Sequence, residues 1–227
     1  MNAALALAPV PGVMKINLAS VILANGMTEN YIQLASVPDY LCEGPYPLYD
    51  DPKGPECTAL RSKVPICQRL IKACRSFSSK LTCIPATLYC LNAFYGPIQR
   101  KSNVYCFFFP FPMIKPSIES GLNPYDARLP CDPESDGPLC YKQMGWIDVW
   151  LNEPSHKAEL GANPSRKFES CNMAINQAFQ MQGDSMHDSS ALLPDLINDG
   201  VRLLVYAGNA GMSKLFSFER FVLIDEI

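Results

Sequence analysis

Ten cysteines constrain the fold of this chain more than any other feature of its sequence. Their even number and high density are typical of disulfide-linked proteins from oxidising compartments. Zinc binding is the alternative, but zinc sites usually contain close pairs of the C-x2-C type, and the sequence has no such pair. The spacing therefore favours disulfides over a metal site. The cysteines are Cys42, Cys57, Cys67, Cys74, Cys83, Cys90, Cys106, Cys131, Cys140 and Cys171.

Two cysteine pairs have the spacing of neighbours on one helix face. Apolar side chains recur three and four positions apart over residues 57–74, which predicts a helix. Cys67 and Cys74 are seven residues apart there and share a face, and Cys83 and Cys90 repeat this spacing in CIPATLYCLN, which predicts a second helix. Two disulfide bridges between such helices would cross-link them as an antiparallel hairpin. The alternative is that these cysteines only fill a core.

Two short apolar runs predict strands at either end of this cysteine-rich region. Val201–Gly211, VRLLVYAGNAG, has five apolar or aromatic residues among its first six and turn residues on both sides. It predicts a parallel strand buried on both faces. Ile16–Leu23, INLASVIL, predicts a second buried strand, and Asn25-Gly26 after it is a strong turn signal. The order of strand, long insertion and strand predicts an α/β fold.

Reactive groups in α/β sheets lie just beyond the carboxyl ends of the strands. Residues 208–212 are therefore the first candidate positions for catalytic side chains, and they contain no acid, histidine or cysteine. No glycine-rich loop of the phosphate-binding type is present, so we expect no cofactor.

Charge and hydropathy exclude several classes of partner. The net charge is −3 and there is no basic stripe, so we expect no nucleic-acid partner. No segment reaches the ~20 apolar residues that a membrane span needs. The first fifteen residues lack the basic start of a secretory signal, so we expect no signal peptide in this chain. That absence is at odds with a disulfide-rich protein, and one resolution is that the true N-terminus is missing.

The remaining segments are more mixed. Residues 27–56 contain Gly/Pro-rich loop material, and residues 101–120 form an atypical insert rich in Phe and Pro. Cys131 and Cys140 flank a polar loop that a bridge would close. Short helices are predicted at residues 146–151, 168–181 and 190–197.

The two histidines allow only a weak catalytic hypothesis. His187 lies near Asp184, Asp188 and several serines, so a Ser-His-Asp set can be imagined, but no strand-turn-helix elbow accompanies these serines. We interpret His187 as a solvated loop residue and His156 as a surface residue. The acidic runs at residues 50–51 and 132–136 lack the register of a calcium loop, which favours ordinary solvated loops and no metal.

Six motifs in order resemble the serine carboxypeptidases, particularly the fungal carboxypeptidase Y type. They are INLASVILANG, the cysteine block of residues 42–90, LNPYDAR followed by CD, GPLCY, FESCNM and LLVYAGNA. The resemblance runs from about residue 15 to 210, apart from 101–120. It implies a partial α/β-hydrolase fold of two parallel core strands with a large disulfide-rich helical cap inserted between them.

The resemblance also implies the disulfide pairing. Its four bridges are Cys42–Cys57, Cys67–Cys90, Cys74–Cys83 and Cys131–Cys140. In the family, the cysteine that matches Cys171 pairs with one far upstream that this chain lacks, and Cys106 has no counterpart. These two cysteines are either unpaired or bonded to each other.

The family's activity is hydrolysis at the free C-terminus of peptides and proteins by a Ser-His-Asp triad, in enzymes that are secreted or vacuolar. The sequence contains no G-x-S-x-G motif, which by family order would precede INLASVIL. The triad aspartate would occupy position 211, where Gly211 stands, and the histidine would lie beyond residue 227. We therefore expect this chain to be a fragment that is catalytically incompetent as written.

Substrate-pocket positions do match the family. Met27, Tyr125, Tyr141 and Ser170 correspond to pocket walls, which make apolar or aromatic contacts. A non-catalytic peptide- or protein-binding module made from the cap is the alternative function, and a disulfide-rich module unrelated to peptidases is a third. The expected divisions are residues 1–26 as core strand, 27–198 as cap, 199–210 as core strand and 211–227 as a divergent tail.

Overall fold

The structure is a computed structural model that describes residues 17–101, 121–137, 140–170 and 172–211. The strands are β1 (Ser20–Ala24), β2 (Leu122–Asn123), β3 (Asp126–Pro130) and β4 (Arg202–Tyr206). The α-helices are α1 (Asn30–Gln33), α2 (Val37–Glu43), α3 (Pro55–Ser76), α4 (Lys80–Lys101), α5 (Pro133–Asp136), α6 (Lys142–Asn152), α7 (Pro154–Glu159), α8 (Met173–Gln180) and α9 (Leu193–Asn198). Single 3-10 turns cover Leu34–Ser36, Asp184–Met186 and Ser190–Leu192.

Several predictions fall outside the described residues. They concern Cys106, Cys171, the Phe/Pro-rich insert from residue 102 to 120 and the tail from residue 212 onward. None of the helices in the described ranges combines the length and apolar character that crossing a bilayer requires.

The first and last described strands pair in parallel, as the sequence predicts. Ile22 lies opposite Leu204 and Ala24 opposite Tyr206 in the β1–β4 register. The prediction that these two strands are buried is wrong, including burial of the last strand on both faces. Side chains alternate between exposed and partly buried along both strands, because in the described structure one face of this two-stranded sheet is open to solvent.

The main hydrophobic core lies in the helical region between these strands. Helices α3 and α4 pack as a hairpin, and their cysteines point inward and form the nested bridges Cys67–Cys90 and Cys74–Cys83. The Cα atoms are 5.2 Å and 4.6 Å apart in these bridges, within the usual range. Pro55 lies in the first turn of α3, where its missing amide hydrogen costs no helical hydrogen bond. Arg75 lies in the last turn, where its positive charge interacts favourably with the free carbonyls.

Helices α1 and α2 occupy a stretch that sequence analysis described only as mixed. Leu34, Val37 and Leu41 are all fully buried and recur at helical spacing, so they place this segment against α3. The bridge between Cys42 and Cys57 ties the end of α2 to the start of α3. The disulfide therefore fixes the loop between these helices. That loop is one that sequence analysis did predict.

A second, smaller cluster surrounds the Cys131–Cys140 bridge, which Tyr125 and Met144 contact. The hairpin of β2 and β3 leads into it. The predicted helix at residues 168–181 begins only at Met173, because the Asn172 side chain caps the helix by accepting a hydrogen bond from the amide of Ile175.

All eight described cysteines are in disulfides, which removes them as zinc ligands.

Candidate functional site

The carboxyl ends of β1 and β4 are joined by the Asn25-Gly26 turn that the sequence predicts. The amide of Asn25 donates to the carbonyl of Tyr206 at 2.9 Å, and its side-chain oxygen accepts from the amide of Gly208 at 2.8 Å. Asn25 has a φ of 50°, a left-handed conformation that asparagine tolerates better than most residues. Both strands therefore end at one fixed edge.

Two other segments hold the loop that follows β4. The hydroxyl of Tyr40, from α2, donates to the carbonyl of Asn209 at 2.6 Å, and the amide of Ala127, from β3, donates to the carbonyl of Ala210 at 2.7 Å. Together with Asn25, these contacts form what we call the strand-end clasp: Asn25, Tyr40, Ala127 and the loop 208–210. The clasp presents Gly211, which is buried, at the position expected for the triad acid. A glycine carries no carboxylate there.

The surroundings of Tyr40 keep its hydroxyl a neutral donor. Burial, followed by the proximity of Tyr46 and Asp126, raises the pKa of Tyr40 above its ordinary value. Asp126 in turn pairs with Arg128 at 2.7 Å, and the hydrogen bond from that guanidinium lowers the pKa of Asp126. Because Tyr40 stays protonated through the neutral range, its bond to Asn209 persists there.

The aromatic positions Tyr125 and Tyr141 come together beside the Cys131–Cys140 bridge. Their ring centroids are 6.1 Å apart with planes inclined by 49°, a favourable tilted arrangement. Burial, and then the proximity of Tyr141, raises the pKa of Tyr125. These two rings make an apolar surface with polar tips, which can contact a side chain.

Met27 and Ser170 belong to two other contact groups. Met27 follows the Asn25-Gly26 turn, and its sulfur accepts a hydrogen bond from the hydroxyl of the fully buried Tyr95 at 3.6 Å. The backbone amide and hydroxyl of Ser170 both donate to one carboxylate oxygen of Asp148. Ser170 lies beside an open cleft of 430 Å³. Its hydroxyl donates directly to the carboxylate of Asp148, with no histidine between them. The cleft is lined by Asp148, Val149, Asn152, Lys167, Phe168 and Glu169.

Neither histidine takes part in a catalytic set within the described residues. The His156 ring stacks on Trp150 with centroids 4.0 Å apart, and its Nδ1 lies 2.9 Å from the Trp150 carbonyl. His187 is exposed, while the neighbouring Asp188 carboxylate accepts from the amide and hydroxyl of Ser190. The imagined Ser-His-Asp set around His187 is therefore not formed.

The acidic loops make backbone contacts of their own. An Asp51 oxygen accepts from the amide of Lys53, and Asp132 and Asp136 accept from amides within their own turn. Among the residues whose positions are described, no three His, Cys, Asp or Glu side chains are arranged to hold a metal ion.

A buried ion pair behind the site escaped sequence analysis. The Glu29 carboxylate accepts hydrogen bonds from two nitrogens of Arg75, and Arg75 also reaches Asp188 at 3.4 Å. Nearby, the amides of Ser189 and Ser190 donate to the carbonyl of Thr28. These contacts bind the segment that follows β1 to the segment that precedes β4. No local pattern indicates them, because Glu29 and Arg75 are 46 residues apart.

Comparison with known proteins gives consistent matches over most of the chain. A family model described as serine carboxypeptidase matches residues 10–221, which extends past residue 210, where the sequence resemblance ended. The chain is 38% identical over 196 residues to "Carboxypeptidase Y homolog A" of Coccidioides posadasii, covering 86% of this chain and 32% of that protein. It is 37% identical to the same-named protein of Sclerotinia sclerotiorum, covering 86% and 31%. The chain thus spans about a third of the length of the curated relatives it matches.

Proposed function

Because this chain belongs to the serine carboxypeptidase family, we propose that it forms substrate-pocket walls of an enzyme that releases C-terminal residues from peptides. The observation that supports this most directly is the strand-end clasp. The carboxyl ends of parallel strands are where α/β enzymes carry their reactive groups. Here Asn25, Tyr40 and Ala127 fix that edge at the loop leading to position 211.

The helical region between the strands is proposed to be a cap on a partial α/β-hydrolase sheet. Residues 27–198 would form the cap, between core strands in residues 1–26 and 199–210, with 211–227 as a separate tail. Two features support this division. The strands are parallel and thus require a crossover, and the main core and three of its bridges lie within that crossover.

Met27, Tyr125, Tyr141 and Ser170 are proposed to be walls of the substrate pocket. The tilted pair of Tyr125 and Tyr141 would contact an apolar or aromatic side chain of the peptide, since such a pair offers ring edges and faces for packing. Ser170 would act as a wall, held in place by the hydrogen bonds that its amide and hydroxyl donate to Asp148. The ligand class is therefore a peptide with a large apolar residue near its free C-terminus.

Peptide binding tests this assignment. A fluorescent peptide that ends in phenylalanine would be titrated against the wild-type chain and the Tyr125→Ala and Tyr141→Ala variants. Each substitution should weaken binding about tenfold, the equivalent of one lost aromatic contact. Tyr206→Ala is the matched control, because Tyr206 is an exposed strand residue of the same type. Equal weakening by all three substitutions would contradict the proposed pocket.

The 227-residue polypeptide by itself is proposed to lack hydrolytic activity. Its sequence has no G-x-S-x-G elbow and has glycine at position 211, and loss of the nucleophile and its base costs on the order of 10⁶-fold in rate. A blocked dipeptide assay with the purified polypeptide checks this. Turnover that a serine-directed inhibitor abolishes would refute the proposal.

A non-catalytic peptide- or protein-binding module is the second candidate. It is favoured by the position of the core, which lies in disulfide-linked helices and not on the sheet. Peptide binding without cleavage is expected for both candidates, so capture of a full-length serine carboxypeptidase by the purified chain is the result that would support the second. The four disulfides fit an oxidising compartment, so a secreted or vacuolar location is part of the proposal.

A further inference from the structure

The helical hairpin of α3 and α4 carries charge of one sign. Residues 57–101 contain eight of the nineteen lysines and arginines and no aspartate or glutamate. The rest of the chain contains eleven basic residues and all twenty-two acidic ones, so the net charge of −3 conceals a strongly basic element in an otherwise acidic protein. Such a separation of charge favours a negatively charged partner for the hairpin.

Three of these cations lie exposed near the closed end of the hairpin. Arg69 and Lys72 are three residues apart in the last turns of α3 and share a face of that helix, and Lys80 begins α4. Within the described part of the chain, none of the three forms a salt bridge, whereas Arg75 is paired with Glu29. The structure described here thus leaves three positive charges at this end without a carboxylate partner.

Two large apolar side chains lie beside these charges. Phe77, at the end of α3, is 73% exposed, and Leu81, in the first turn of α4, is 88% exposed. They are the two most exposed large apolar side chains among the described residues. Exposed apolar groups next to one another mark an interaction surface. We call this surface the basic tip, and it consists of Arg69, Lys72, Phe77, Lys80 and Leu81.

The backbone of the basic tip is fixed on both sides of its loop. The bridge between Cys74 and Cys83 joins the two helices with a Cα separation of 4.6 Å. The amide of Phe77 donates to the carbonyl of Ala73 at 3.0 Å, and the amide of Cys83 donates to the carbonyl of Ser79 at 2.9 Å. A partner would therefore meet apolar side chains on a preorganised loop, and binding would cost little ordering of the backbone.

We propose that the basic tip binds the surface of membranes that contain anionic lipids. The three cations would contact the lipid headgroups, and Phe77 and Leu81 would enter the boundary between headgroups and acyl chains. A soluble polyanion would contact the cations but would leave both apolar side chains in water, so the combination favours a membrane. This is binding at a surface and not passage of a helix through the bilayer, and it does not depend on the proposed substrate pocket.

The acidic remainder of the chain does not prevent this contact. The 22 residues of α3 span about 33 Å, and the Debye length at physiological ionic strength is about 8 Å. Glu56, in the first turn of α3, therefore lies several Debye lengths from a membrane at the other end of the helix. The lipid surface would be attracted mainly by the charges of the basic tip.

Sedimentation with vesicles tests the proposal on the whole chain. One set of vesicles would contain phosphatidylcholine alone, and the other would contain phosphatidylcholine and phosphatidylserine. The protein should bind the vesicles with phosphatidylserine, should bind the neutral vesicles weakly, and should dissociate as the salt concentration rises. Equal binding to both sets, or no binding to the anionic set at low salt, would overturn the proposal.

Removing the three charges should weaken binding to the anionic vesicles. Each cation near an anionic surface contributes about fivefold to the affinity, so the combined variant Arg69→Gln, Lys72→Gln and Lys80→Gln should lose about a hundredfold. Circular dichroism would verify that this variant, whose changes are all at exposed positions, remains folded.

A second triple variant with the same change of net charge is the matched control. It removes three exposed cations that lie outside the hairpin, by Lys53→Gln, Lys142→Gln and Arg202→Gln. This variant should bind the anionic vesicles nearly as well as the wild type does. Equal losses from the two triple variants would show that only net charge matters and would refute a site at the basic tip.

The apolar side chains distinguish a membrane from a soluble polyanion. Phe77→Ser and Leu81→Ser should each weaken vesicle binding about tenfold, because each removes an apolar group that would leave water on binding. Leu160→Ser is the control, since Leu160 is 61% exposed and lies outside the hairpin. If neither tip substitution changes vesicle binding and soluble polyglutamate binds as tightly as the vesicles, the ligand is an acidic polymer and the membrane assignment is wrong.

Discussion

Removing the Arg75 side chain should destabilise this protein more than removing an exposed paired charge such as Arg61. Glu29 is 7% exposed and Arg75 is 23% exposed at the side chain, and they share two hydrogen bonds. Arg75→Met keeps much of the packing of the arginine stem but leaves the Glu29 carboxylate nearly buried, with the amide of Tyr31 as its one remaining donor among the described residues. Breaking a fully buried pair costs about 3–5 kcal/mol. Because water reaches Arg75, we expect about 2–3 kcal/mol here.

The reverse substitution should cost less. Glu29→Gln leaves Arg75 with Asp188 at 3.4 Å and some exposure to water, and glutamine retains an oxygen that can accept from Tyr31. We expect a cost of about 1–2 kcal/mol. The double variant should be more stable than the sum of the single costs predicts, with a coupling of about 1–2 kcal/mol, since the two side chains are in direct contact.

Urea unfolding with the disulfides intact measures all three variants. At a typical slope, a loss of 2–3 kcal/mol lowers the midpoint by about 1 M. Arg61→Met provides the control, because Arg61 pairs with Glu43 at an exposed position, where such pairs contribute less than about 1 kcal/mol. If Arg75→Met costs no more than Arg61→Met, or if the single costs simply add, the ion pair does not hold these segments together as we argue.

Two further predictions concern alkaline pH and the disulfides. Burial raises the pKa of Tyr95, Tyr40 and Tyr125, so the folded state holds these protons more tightly than the unfolded chain. Their contribution to stability is fully present below about pH 10 and is lost as the pH rises through their pKa values in the folded state. Tyr40→Phe should therefore make the decline of the urea midpoint with pH shallower. An unchanged decline would contradict this. Replacing Cys67 and Cys90 by alanine should cost about 3.4 kcal/mol and replacing Cys74 and Cys83 about 2.6 kcal/mol, from loops of 23 and 9 residues. The opposite order in urea would show that loop entropy does not dominate.

The sequence by itself determined the elements whose signals are local. Helical recurrence and the seven-residue cysteine spacing located α3 and α4, and two β-rich apolar runs located the parallel strands. The Asn25-Gly26 turn was also predictable, because those residues favour the left-handed backbone that the turn requires. The order of the motifs was enough to identify the family.

Only the tertiary structure decided which faces are covered and which distant residues meet. An apolar strand reads the same whether one face or both are buried, so the exposure of Leu204 followed from what packs beside it. The contact of Glu29 with Arg75 and that of Tyr40 with Asn209 join residues far apart in the chain. Such contacts depend on how the helical region folds around its bridges, and no short stretch of sequence contains that information.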